Sequence, residues 1–270
     1  MVIRKHIGCI ALVICCALCI LYACRSGNGN AIPVIAPEDS TEIFRLKDQA
    51  DSLSWYQPDS AIHLYERSLT LSREKNYNLG ITANLTGLGF VSINHARYAE
   101  GFMYVHEGIN HLHAINEPEG KSLATLYNNM GAIYLYTGNY DEAAEWCFKA
   151  TNIATNNKDY AFIARSANNF GAILSEMGEL EKALSYIEQG KEVSYKHGIN
   201  RYLSYLYLNE ARILYWKQLY DEALSKCRES VRLAEEFHQF SAQCDAIHLS
   251  GMIYEATGQH RLARRCYRQV

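Results

Sequence analysis

Tyr127-Asn128-Asn129-Met130-Gly131-Ala132-Ile133-Tyr134 returns forty residues later as Ala167-Asn168-Asn169-Phe170-Gly171-Ala172-Ile173-Leu174. The same interval leads to Tyr207-Leu208-Asn209-Glu210-Ala211-Arg212-Ile213-Leu214, and again to Ile247-His248-Leu249-Ser250-Gly251-Met252-Ile253-Tyr254. A fixed period of this length marks a stacked array, because a unit of that size cannot bury its own apolar face without neighbours. Such arrays offer surfaces to partners more often than they house chemistry.

The second half of each unit is equally regular. Gly138-Asn139-Tyr140-Asp141-Glu142-Ala143 is followed by Gly178-Glu179-Leu180-Glu181-Lys182-Ala183, Gln218-Leu219-Tyr220-Asp221-Glu222-Ala223 and Gly258-Gln259-His260-Arg261-Leu262-Ala263. Gly138, Gly178 and Gly258 stand where a first helix should end, since glycine accepts the left-handed conformation of a C-cap. Asp141, Glu142, Asp221 and Glu222 fall in the first turn of the following helix, where its dipole favours acids. Each unit therefore reads as a helical hairpin. With Gly131, Gly171, Ala211 and Gly251 at position eight, Ala143, Ala183, Ala223 and Ala263 all take position twenty. Facing small residues let two helices approach closely, while Tyr127, Met130, Tyr134 and Cys147 supply an apolar stripe at helical spacing.

These residues resemble the tetratricopeptide repeat, TPR. Its pattern of aromatic, leucine-glycine, aromatic, then alanine, aromatic and alanine is similar to Tyr127, Met130-Gly131, Tyr134, Ala143, Cys147 and Ala150. The family's usual period is about thirty-four residues, and the proline that closes its repeat is missing here. Six further residues add about 9 Å of helix, shared between two helices. The longer unit resembles the subgroup found in peptide-sensing bacterial regulators and kinesin light chains. Earlier units are marked by Leu85, Leu88-Gly89, Tyr98 and Gly101, and by Pro58-Asp59 with Ala61 and Tyr65. The expected fold is an all-α TPR solenoid of about six helix-turn-helix repeats in a right-handed superhelix, near 42–81, 82–123, 124–163, 164–203, 204–243 and 244–270. Val270 falls inside the second helix of the last unit, so further chain or a partner is expected at that end.

The N-terminal segment reads differently. Arg4, Lys5 and His6 precede an uncharged run from Ile7 to Ala23, the layout of a secretory signal. Leu21-Tyr22-Ala23-Cys24 resembles a bacterial lipobox, which implies cleavage before Cys24 and its lipidation. An uncleaved apolar anchor, or a plain signal in which Cys24 is incidental, are the alternatives. Residues 25–40, with Pro33 and Pro37 among glycine, asparagine and serine, read as a flexible tether. These features predict an exported chain held at the membrane through its N-terminus, on the periplasmic side, with residues 41–270 as the solenoid.

Charge and cysteine usage narrow the work further. A formal charge of −3 over 270 residues leaves no basic stripe for nucleic acid. Of nine cysteines, Cys9, Cys15, Cys16, Cys19 and Cys24 lie in the leader, and Cys147 and Cys227 fall at a core position. The spacing of Cys244 and Cys266 requires neither a disulfide nor a metal. His111 and His113 are two apart on a helix and point away from each other, so no metal is expected there. No phosphate loop, nucleophile elbow or zincin histidine pair occurs, and neither an enzyme nor a cofactor is expected.

The resemblance to TPR proteins implies that the first helix of each hairpin lines a concave groove. Positions two, five, six, nine and thirteen share that face by helical spacing. Asn129, Asn169 and Asn209 stand in register at position six, with Asn128 and Asn168 beside them. Asparagine is a middling helix former, so this register needs a reason. In similar TPR proteins groove asparagines hold the backbone of an extended peptide; hydrogen bonds to the neighbouring hairpin would serve equally. Tyr136, Arg165, Glu176, Tyr205, Arg212 and Trp216 share the face, and aromatics with arginines suit a binding surface. Arg165 and Arg212 together form a candidate pair for a carboxylate. The expected partner is a protein or an extended peptide.

Overall fold

The computed structural model describes residues 37–117 and 120–270. The expected signal segment, Cys24 and most of the expected tether lie outside these residues. The described residues contain twelve α-helices and no strand. In chain order they are α1 (Pro37–Leu53), α2 (Pro58–Glu74), α3 (Asn78–Asn94), α4 (Tyr98–Ala114), α5 (Lys121–Tyr136) and α6 (Tyr140–Asn156). There follow α7 (Tyr160–Glu176), α8 (Leu180–His197), α9 (Leu203–Trp216), α10 (Tyr220–Glu236), α11 (Phe240–Ala256) and α12 (His260–Tyr267), with a 3-10 turn at Asn200–Tyr202 before α9. They pair into six hairpins, the odd-numbered helix first in each. The chain is an all-α solenoid of TPR-like hairpins. α1 begins at Pro37, so the last residues of the stretch read as a tether form its first turn.

The turns explain the tight spacing. At the end of α5 the Asn139 amide donates to the Tyr134 carbonyl at 2.9 Å and the Gly138 amide to Leu135 at 3.2 Å, with Gly138 at φ +81°. This is the Schellman arrangement, which satisfies carbonyls that the helix end would otherwise orphan. The same bond pattern closes other turns without glycine: Asn76, Ala96, Asn116, Lys158, Gln218 and His238 all adopt positive φ. Geometry is therefore repeated more strictly than residue type, and the non-glycine positions carry some strain.

Within a hairpin the small residues decide the approach of the helices. Ala143, Ala183 and Ala223 are fully buried and Ala263 nearly so. A β-carbon added to Gly131 would sit 2.6 Å from Cys147 Sγ and 3.1 Å from the Ala143 carbonyl oxygen, and one on Gly171 would sit 2.6 Å from Ile187 Cγ1. Cys147 and Cys227 are completely buried and free, and burial pushes their thiols up to about 12 and about 11. They are core filler, not nucleophiles.

Between hairpins the core is continuous. Ile93, Val105, Ile109 and Leu112 from α3 and α4 pack with Leu123, Leu126, Met130 and Ile133 of α5. Ala167, Leu174, Ala183 and Ile187 pack with Leu203, Leu206, Ile213 and Leu233 of the next hairpin. No hairpin closes its own core, which is why the array requires its neighbours.

One buried ionic cluster reinforces the junction of α8, α9 and α10. Lys191 donates to Glu210 at 2.8 Å and to Glu188 at 2.6 Å, and Lys226 reaches the other oxygen of Glu210 at 2.8 Å. Both ammonium groups lie over the Tyr207 ring, and the Tyr207 and Tyr195 hydroxyls share a hydrogen bond of 2.8 Å. Burial alone would depress the Lys191 pKa; the two carboxylates outweigh it and raise it.

Candidate functional site: the face of the first helices

The first helices form a layer of their own. α3 touches α5, α5 touches α7, α7 touches α9 and α9 touches α11, in addition to each helix's contact with its own hairpin partner. Successive first helices therefore form one continuous layer. All of the groove residues expected from sequence lie on α5, α7 and α9: Asn128, Asn129 and Tyr136; Arg165, Asn168, Asn169 and Glu176; and Tyr205, Asn209, Arg212 and Trp216.

The asparagines are bonded to one another across hairpins. Asn169 Nδ2 donates to Asn128 Oδ1 at 2.8 Å, joining α7 to α5. Asn209 Nδ2 donates to Asn168 Oδ1 at 2.8 Å, and at 3.3 Å to the Asn168 carbonyl, joining α9 to α7. A longer contact of 3.4 Å links Asn168 Nδ2 to Asn169 Oδ1 within α7. Asn128, Asn129 and Asn209 are buried, whereas Asn168 and Asn169 are half-buried. The amide row is thus a staple between successive first helices, the second of the two uses open to it. Residual capacity remains: Asn129 Nδ2 is buried and has no partner.

Around this row the side chains differ in availability. Arg212 is engaged: it approaches Asn209 Oδ1 at 3.4 Å and pairs with Asp245 Oδ2 of α11 at 3.6 Å. Arg165 makes no ion pair among the described residues. Its guanidinium lies 4.5 Å from the centroid of the Phe162 ring, and its Nε is buried without a partner. Desolvation is the main influence on it and lowers its pKa. The two arginines grouped by sequence are therefore not equivalent, and only Arg165 is left with an unmatched charge.

Tyr136 is the most exposed aromatic of the set. Its side chain is 60% exposed, yet desolvation raises its hydroxyl pKa, with smaller influences from Tyr98, Arg212 and Asp245. Arg212 and Asp245 belong to α9 and α11, two and three hairpins farther on. Tyr136 stacks on Tyr98 at 5.7 Å. Trp216 is 43% exposed, Glu176 is exposed, and Tyr205 is half-buried with its hydroxyl raised by desolvation and by Asp245.

Asp245 is the residue that sequence reasoning passed over. It occupies position two of its unit, the row already holding Arg165 and Tyr205, so following the register one unit farther would have found it. His111 and His113 have separate surroundings: His111 Nε2 is buried without a partner, while His113 Nε2 lies 3.4 Å from the Tyr127 hydroxyl. No group of three or more metal-ligating side chains occurs among the described residues, and no described helix is long and apolar enough to cross a membrane.

Comparison with known proteins agrees with the fold. Tetratricopeptide-repeat profiles match residues 122–195 and 245–270. No curated protein matches the chain in sequence. Among solved structures, the apo form of RapI is similar with a TM-score of 0.71 and 15% identity over 92% of this chain and 86% of its own. NprR in complex with its cognate peptide NprX gives a TM-score of 0.66 and 16% identity over 87% of this chain and 67% of its own. A STAND protein with a tetratricopeptide repeat sensor from Pyrococcus horikoshii gives 0.60 and 18% identity over 92% of this chain and 42% of its own. At these identities the likeness concerns the fold.

Proposed function

We propose that this chain is a non-enzymatic binding module that receives an extended peptide or protein segment on the face of its first helices. The observation that carries this reading is a set of exposed aromatics on joined first helices: Tyr136 of α5, 60% exposed and stacked on Tyr98, and Trp216 of α9, 43% exposed, on helices that the asparagine row links through α7. Aromatic anchors beside polar groups suit a peptide, because the rings supply contact area and the polar groups orient the backbone. The similarity to NprR, solved with its cognate peptide, supports the same use of the fold. The interhelical staple of asparagines holds the first helices at the spacing this surface needs, and leaves Asn168 and Asn169 partly open to a ligand.

Export belongs to the same proposal. The uncharged run ending at Cys24 fits a lipid-anchored, periplasm-facing chain. Labelling cells with a radioactive fatty acid, comparing wild type with Cys24→Ala, tests it; equal labelling of both rejects the anchor. A second reading makes the array the sensor part of a longer membrane-bound regulator with a kinase or helix-turn-helix output. The similarity to a repeat sensor that forms part of a larger signalling ATPase favours it. The reading frame beyond Val270 separates the two.

The binding reading is tested by panning the full chain against a displayed random heptapeptide library. Selected sequences should lose about tenfold or more in affinity to the double variant Tyr136→Ala, Trp216→Ala, as expected for two anchor rings. Failure of any peptide to be selected by the folded wild-type chain rejects the proposal.

A further inference from the structure

We infer that Arg165 is the acid-recognising anchor of the first-helix face, taking the side-chain carboxylate of a glutamate or aspartate inside an extended peptide. This rests on the peptide-binding reading and adds the chemistry of the ligand and the residue that selects it.

Four observations converge on Arg165. It has no ion pair among the described residues, whereas Arg212, the other groove arginine, is paired with Asp245. Its Nε is buried with no hydrogen-bond acceptor, although a guanidinium carries five donors and no acceptor of its own. Its guanidinium lies over Phe162, a buried ring, with the guanidinium carbon 4.5 Å from the centroid. The fourth is electrostatic: hydrogen-bonded carboxylates raise the pKa values of Arg45, Arg97 and Arg232, while that of Arg165 is lowered because desolvation outweighs the pull of Tyr202 and Asp159.

The nearby acid cannot serve. Asp159 exerts some pull on Arg165, but its carboxylate caps α7 by accepting from the Phe162 amide at 3.0 Å and pairs with Lys121 at 3.3 Å. Arg201 adds a second positive charge nearby. A desolvated, pre-oriented guanidinium is an expensive group to leave unmatched, and a bidentate carboxylate is its best complement.

The place in the array selects an internal acid over a chain terminus. Arg165 lies on α7, with first helices α3 and α5 on one side and α9 and α11 on the other. A peptide laid across the layer therefore continues past Arg165 in both directions. Arg212, the other groove arginine, already has Asp245 and contributes little further selectivity for acids.

The test uses N-acetylated, C-amidated heptapeptide sublibraries in which one position is Glu, Gln or Lys and the others are mixed, read by fluorescence anisotropy against the full chain. The expected result is one internal position at which the Glu sublibrary binds about 10- to 100-fold tighter than the Gln sublibrary, the range of a charge-assisted bidentate contact. Arg165→Met should abolish that ratio while preserving affinity for the Gln sublibrary, Arg165→Lys should retain part of it, and Arg212→Met should leave it intact. Circular dichroism melts of each variant establish folding; if Arg165→Met does not fold, Arg165→Lys and the wild-type ratio carry the decision. A ratio near one in a wild type that does bind, a ratio unchanged by Arg165→Met, or a ratio lost in Arg212→Met would overturn the inference. So would a preference for a free C-terminus over an amide that depends on Arg165. Absence of binding by every sublibrary would instead reject the peptide reading itself.

Discussion

Replacing Asn209 with alanine separates the stapling role of the amide row from a purely ligand-facing one. Asn209 is buried; its Nδ2 donates to Asn168 Oδ1 at 2.8 Å and to the Asn168 carbonyl at 3.3 Å, and its Oδ1 lies 3.4 Å from Arg212. The short bond and its bifurcated branch contribute about 1–2 kcal/mol net, and loss of the Arg212 contact adds about 0.5 kcal/mol. Opposing this, alanine is the better helix former by about 0.6 kcal/mol. Asn168 is half-buried, so water can replace part of its lost partner. The expected net loss is about 1.5 kcal/mol. With a urea slope of about 3 kcal/mol/M for a domain of this size, the midpoint falls by about 0.5 M. Because an array unfolds by neighbouring units, amide hydrogen exchange should show the loss concentrated in α7 and α9. An unchanged midpoint, or one raised by helix propensity, would mean that the bond does not stabilise the array and would refute the stapling role. Asn209→Asp is the stricter companion: it sets a carboxylate oxygen against Asn168 Oδ1, and it should cost more than the alanine.

Three further outcomes follow from particular contacts. Ala96 is exposed at φ +58°, so Ala96→Gly should stabilise by about 0.5–1 kcal/mol, and Gly138→Ala, at φ +81°, should destabilise by about 1–2 kcal/mol; thermal melts of the pair must move in opposite directions. Burial, opposed chiefly by Glu107, lowers the His111 pKa below 6.5, so the unfolded chain binds that proton more readily. Stability should therefore be full above pH 6.5 and fall as pH drops through and below it, and His111→Gln should flatten that fall in urea titrations taken at stepped pH. Glu210→Gln leaves Lys191, whose side chain is only 8% exposed, with the exposed Glu188 as its one remaining carboxylate and should cost about 1–3 kcal/mol, whereas Lys226→Met leaves the Lys191–Glu210 bond in place and should cost less than about 1 kcal/mol; equal losses in chemical denaturation would contradict the cluster.

Much of the architecture was legible along the chain because it depends on local rules. The forty-residue interval from Gly131 to Gly171 to Ala211 reflects a unit that repeats its own packing, and the glycines after α5, α7 and α11 announce turns that demand positive φ. The same rule failed at Ala96 and Lys158, where the turn persists without glycine because the bonds around it, such as the Asp159 amide to the Ala154 carbonyl at 2.9 Å, over-determine the conformation. Spacing also assigns the candidate groove residues to one side of their helices, since the helix period sets which side a residue occupies.

Spacing says nothing of which neighbour a side chain meets. Asn168 and Asn209 share a face by their positions in the repeat, but that one amide would donate to the other at 2.8 Å depends on how far apart successive hairpins stack. Arg165 and Arg212 looked alike as sequence; their difference arises because Asp245, three hairpins beyond Tyr136, is carried to within 3.6 Å of one and not of the other. A repeat's register is written locally in helix period and turn residues, whereas the partner of a charge is chosen by the rotation between hairpins, which only the assembled array sets.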